Sequence, residues 1–161
     1  MSDRIASYKE KLATAREKLN ATLDAAEAHT DVKVHSEDNS WTVRELAVHL
    51  ALADVGHNRM IFHYAEDKEF IPADYDIERY NQRSIQKQAE MTLSQARASL
   101  DKSRAEFIEW LDNVEDDSVL DKKGRHATLK MMTLTELMDV MIWHETNHAE
   151  DIQAVLDAQS E

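Results

Sequence analysis

Three helix starts written in one grammar constrain this chain more than any other feature. Trp41-Thr42-Val43-Arg44-Glu45-Leu46 places a threonine N-cap three residues before a glutamate, with apolar residues on either side. That is a capping box with a hydrophobic staple, in which two orphan backbone donors at the helix start are satisfied by side chains. Met132-Thr133-Leu134-Thr135-Glu136-Leu137 repeats it, and Met91-Thr92-Leu93-Ser94-Gln95-Ala96 is a weaker copy. The residues beyond do not match, so this is repeated capping chemistry and not duplication.

Each start opens a run with one apolar face. Before the first lies another: Ser2 caps a helix carrying Ile5, Tyr8, Leu12, Ala15, Leu19 and Leu23, ending near Ala28. The spacing alternates between three and four, as on one face of a bundle helix. The second helix runs from Thr42 to about Glu66. Glu66 to Asp76, holding Pro72, reads as a long crossover, and Asp76 caps a helical stretch leading to Thr92. The third stripe is Leu93, Ala96, Leu100, Phe107, Leu111 and Val114; the fourth helix runs from Thr133 to about Ala158. His29 to Ser40 and Glu115 to Met132 read as polar loops. With Gly 2 and Pro 1 there is little to break helices, and the expectation is an all-α four-helix bundle, one domain over 1–161.

Charge and cysteine content narrow the function. A net charge of −13 repels phosphate backbones and anionic membranes, which argues against nucleic-acid or membrane partners. Cys 0 excludes disulfides, thiolate ligands and a cysteine nucleophile. No apolar run approaches a membrane span and the first residues have no signal-type core, so a cytoplasmic protein is expected.

The candidate chemistry lies in His144-Glu145-Thr146-Asn147-His148. Histidines four apart sit about 40° from each other on a helix, and here they share the stripe of Leu134, Leu137, Met141 and Ile152. A divalent metal satisfies two such rings at once; the plainer alternative is a pair hydrogen-bonded to other helices. A third ligand would come from the second helix. His57 lies in its stripe and His49 about 70° to one side, so geometry alone does not choose between them. Height along antiparallel helices brings His49 level with His148. His63 reads as solvated, and His29, His35 and His126 as exposed loop residues. The five letters also spell a zincin motif with Glu145 as base. Only 13 residues follow His148, Asp151 and Ala154 stand where the extended motif needs glycine and histidine, and the composition supplies no sheet. A peptidase is therefore disfavoured. Asp54, Glu145 and Asp151 are candidates to orient a ligand ring or relay a proton, though each taken singly is most simply a solvated acid on a helix face.

The chain resembles the DinB superfamily, the DinB/YfiT-like four-helix proteins of bacteria. The resemblance rests on Trp41 to Leu50 with its His-Leu ending, on Tyr80-Asn81-Gln82, and on Met132 to Ile152 with its His-x-x-x-His. It implies an up-down-down-up bundle with a long crossover between helices two and three. It also implies a divalent metal, zinc or nickel, on His49, His144 and His148, which settles the choice against His57. Asn147 and Asp151 depart from residues common in relatives, histidine and glutamine. Several relatives act with a low-molecular-weight thiol on an electrophile, so the expected activity is a metal-dependent thiol S-transferase, or a hydrolase. The alternative is a metal-binding or stress-associated bundle without turnover. Relatives are often homodimers, and Trp143, about 180° from Leu134 beside Asp139, Asn147 and Glu150, is the expected contact residue unless the crossover covers it.

Overall fold

The computed structural model describes residues 2–36 and 39–159, without the side chains of His35, Ser36 and Asn39. Four long helices carry the molecule: α1 (Asp3–Ala25), α2 (Val43–Ala65), α4 (Leu93–Asp112) and α5 (Leu134–Gln159), with a shorter α3 (Ile77–Lys87) between α2 and α4. All three capping boxes form. Thr42, Thr92 and Thr133 each accept from the backbone N–H three residues on at 3.1 Å, while Glu45, Gln95 and Glu136 accept from the threonine N–H at 2.7–2.9 Å. Each cap stabilises its helix by about 1 kcal/mol.

The chain direction follows from two apolar clusters. One joins Leu19 and Leu23 of α1, Leu46 and Leu50 of α2, Leu93 and Leu100 of α4, and Ile152 and Leu156 of α5. The other joins Ile5 and Leu12, Met60 and Ile61, Phe107 and Leu111, and Leu134 and Leu137. The C-terminal halves of α1 and α5 thus meet the N-terminal halves of α2 and α4. The order is up-down-down-up, and the parallel pair α2 and α4 requires the long crossover that α3 occupies. α1 packs on α5, and α2 on α4 and α5.

The two expected loops contain strands. β1 (Lys33–Ser36) and β2 (Asn39–Thr42) form one antiparallel hairpin, β3 (Lys123–Arg125) and β4 (Met131–Thr133) another. Ladders of three or four residues carry too little periodicity to stand out from a polar loop. The second hairpin is docked by tertiary contact. Tyr64 of α2 lies flat against Gly124, where a Cβ would collide with its ring. The Tyr64 hydroxyl donates to the Arg125 carbonyl at 2.7 Å and accepts from the Ile71 N–H at 3.1 Å.

Candidate metal centre

Where α2 passes α5, antiparallel helices bring His49 level with the pair one turn apart on α5. One ring nitrogen from each of His49, His144 and His148 falls within 4.8 Å of the other two, the only such group among the described residues. His49 Nε2 and His144 Nε2 are 3.0 Å apart. His49 and His148 are buried, and the Trp41 ring leans on His49 at a centroid distance of 4.7 Å. Asp151 lies 3.2 Å from His148 Nδ1, and Asn147 donates to the same carboxylate oxygen at 3.4 Å. A carboxylate at Nδ1 fixes the proton there, and such a ring offers its lone pair from Nε2. Burial, with His148 and then His57 adding to it, lowers the His49 pKa to about 3. Burial, then His49 and His148, holds His144 well below the ordinary value. Three convergent imidazoles, two of them held neutral by burial, are a donor set that fits a divalent ion.

His57 stands apart from this group. Its Nε2 lies 3.3 Å from His126 Nε2, with the rings stacked 14° from parallel. His126 corrects the expectation of an exposed loop residue: it is 6 % exposed, because the docked hairpin carries it against α2. His63 and His29 are half-buried rather than solvated; His63 Nδ1 donates to the Arg59 carbonyl, and its ring meets Phe70 at 4.8 Å. The His35 side chain lies outside the described residues.

Glu145 and Asp54 are not solvated acids. They are 3 % and 5 % exposed and share two buried arginines, one on α1 and one on α4. Arg16 Nη2 donates to Glu145 Oε1 at 2.5 Å and to Asp54 Oδ2 at 3.3 Å; Arg104 Nη2 donates to the same Glu145 oxygen at 2.8 Å and to Asp54 Oδ1 at 3.4 Å. Arg16 and Arg104 also donate to the carbonyls of Leu100 and Leu12, each at 2.7 Å. Burial opposes the Arg16 charge, but Glu145 and then Asp54 more than offset it and leave its pKa raised. One charge from each long helix sits between the two apolar clusters. The signal was present: Arg16 falls between Leu12 and Leu19, Asp54 between Leu50 and Ile61, Arg104 between Leu100 and Phe107, and Glu145 between Met141 and Ala149. Two positive and two negative side chains at stripe positions read as one compensated set.

A cavity of about 550 Å³ opens in front of the histidines, with His49, His144, His57 and His126 among its lining. Trp143, expected at a subunit contact, lines this cavity and is 54 % exposed. Such a volume is typical of small-molecule sites. No described helix is long and apolar enough to cross a membrane.

Solved structures share this architecture. YfiT from Bacillus subtilis, described as "a probable metal-dependent hydrolase with an unusual four-helix bundle topology", superposes with a TM-score of 0.76 at 19 % identity, covering 99 % of this chain and 90 % of that one. An uncharacterised protein from Escherichia coli UTI89 gives 0.73 at 16 %, covering 99 % and 96 %. The mycothiol-dependent maleylpyruvate isomerase gives 0.67 at 17 %, over 90 % of this chain and 60 % of that longer one. No significant sequence match to a curated protein is found. A family profile matches residues 9–152, nearly the whole bundle with its three histidines, and the chain belongs to the DinB superfamily.

Proposed function

We propose that His49, His144 and His148 hold one divalent metal ion, zinc or nickel, and that the protein uses it to transfer a low-molecular-weight thiol to an electrophile, with hydrolysis as the variant in which water takes the thiol's place. The observation that carries this reading is the convergence of three imidazoles, two of which line an open cavity. Three protein ligands and a free face are the pattern of catalytic zinc sites, whereas structural sites are closed by a fourth side chain. When bound, the metal supplies acidification and orientation of the thiol or water. The chain has no cysteine, so a sulfur nucleophile arrives from outside. Asp151 orients His148 through Nδ1. Glu145, the candidate base, is held by two arginines, and in this reading it fixes the turn of α5 that presents His144 and His148.

Elemental analysis of purified protein tests the proposal: about one ion per chain is expected for a single site. His148→Ala abolishes binding and His57→Ala leaves it intact; the reverse outcome for His57 and His49 sinks the ligand assignment. Mycothiol, bacillithiol, glutathione or cysteine, supplied with a reactive electrophile, gives conjugation that a chelator removes. Metal without turnover leaves the non-catalytic bundle as the reading. We also propose a homodimer with Trp143 beside the contact; sedimentation of wild type and Trp143→Glu over a concentration series decides it, and a wild type that stays monomeric throughout disposes of it.

A further inference from the structure

The cavity lining runs against the composition of the molecule. The chain has 32 acidic and 19 basic residues, yet no aspartate or glutamate lines the cavity. Arg59 is the one lining residue with a fixed charge. Among the described residues it has no ion-pair partner, as is true of Arg79, Arg83 and Arg125, whereas Arg4, Arg16, Arg44, Arg97 and Arg104 each have one. Of the four unpaired arginines it alone lines the cavity. An unmatched guanidinium at the mouth of a carboxylate-free cavity in an acidic protein favours an anion and repels a cation.

Gly56 adds an independent observation. It lies mid-way along α2 with ordinary helical φ, so no turn requires glycine. A Cβ placed there meets nothing within 4 Å, so no packing requires it either. Glycine is the poorest helix former after proline, and at this position it only keeps the cavity open. Aromatic faces surround that space. Tyr75 and Tyr80 meet at 5.8 Å between ring centroids, Tyr80 is 45 % exposed, and Trp143 is 54 % exposed. α3, which carries Tyr80 and Ile77 over the cavity, buries none of its own residues. An occupant of the space between them would bury these rings.

The second histidine pair supplies polarity without charge. The Thr128 N–H donates to His126 Nδ1 at 3.2 Å, so the neutral ring carries its proton on Nε2 and donates it to His57 Nε2. The two rings satisfy each other and form a flat wall.

We propose that the cavity is a binding site for a small aromatic molecule bearing one anionic group, its ring among Trp143, Tyr75 and Tyr80 over Gly56 and its anion at Arg59. This names the ligand class of the site proposed above and rests on that reading only for the ligand's chemical fate. The test is calorimetric titration of purified and chelator-treated protein with 2-naphthoate, 2-naphthalenemethanol and 2-naphthylmethylammonium. The acid binds about tenfold tighter than the alcohol, the alcohol tighter than the ammonium, with or without metal. Arg59→Gln brings the acid down to the alcohol and leaves the alcohol unchanged. Gly56→Leu fills the space and abolishes binding of all three while the far-ultraviolet dichroism stays native. The proposal is overturned if the ammonium binds as tightly as the acid, if Arg59→Gln preserves the preference, if folded Gly56→Leu binds like wild type, or if none binds at millimolar concentration. Naphthoate binding to a protein that never takes up metal removes the metal reading and keeps this one; metal uptake without naphthoate binding does the opposite.

Discussion

Two polar layers lie side by side in this bundle and differ in almost every respect. Glu145 is the neighbour of His144 on α5, and Asp54 lies five residues beyond His49 on α2. The charged layer is closed: each arginine meets both carboxylates and a backbone carbonyl from another helix. In the histidine layer burial keeps His49 and His144 uncharged at neutral pH, and the layer opens on a cavity. Paired charges cannot leave one another without a large desolvation penalty, so the first layer sets the relative height and rotation of four helices. Neutral rings are cheap to bury and keep lone pairs to give, so the second can serve a ligand.

The largest test removes a charge from the closed layer. Glu145→Ala leaves two buried guanidiniums short of a partner and should cost about 3–5 kcal/mol in urea unfolding. A loss below about 1 kcal/mol would show that water already shares those charges, and the contrast between the layers would fail. Acid comes next. In metal-free protein, burial first and then neighbouring rings put His49 at about 3, and burial first, then His57, puts His126 at about 4, against 6.5 when unfolded. Both folded values are lowered, so the native state binds fewer protons; the stability involved is complete above pH 6.5 and is lost as pH falls towards 4 and then 3. A drop of roughly 2 kcal/mol by pH 5.5 is expected. His49→Gln should flatten that slope, and a profile unchanged by it would mean the layer is wetter than its burial implies. The smallest effect sharpens the open side. Gly56→Ala adds a methyl where nothing stands within 4 Å and should raise stability by about 0.5–1 kcal/mol in thermal unfolding.

Local rules made the helices legible. Thr42, Thr92 and Thr133 announced three starts through side chains within the same turn, and those bonds form as written. The pairing of His144 with His148 was equally local. The charged layer was legible in principle, since its four members interrupt apolar stripes, but each acid taken alone looks like one more solvated carboxylate in an acidic chain. His126 was not legible. Its place depends on Tyr64 lying across Gly124, sixty residues away, and no periodicity encodes such a contact. Nor does spacing tell that Trp143 turns its face to a cavity, because the crossover that forms the far wall has no repeat of its own.

The parallel run of α2 and α4 has a consequence of another kind. After descending α2, a helix roughly 35 Å long, the chain must climb back before α4 can start. That return path supplies Phe70, Tyr75, Ile77 and Tyr80, whereas the three convergent histidines sit on α2 and α5 alone. The candidate metal ligands and the tyrosine wall of the cavity are thereby inherited on different stretches of chain. Lengthening, trimming or replacing residues 66–92 would reshape that wall without moving an imidazole, so the shape of the cavity can be retuned by editing a single connection.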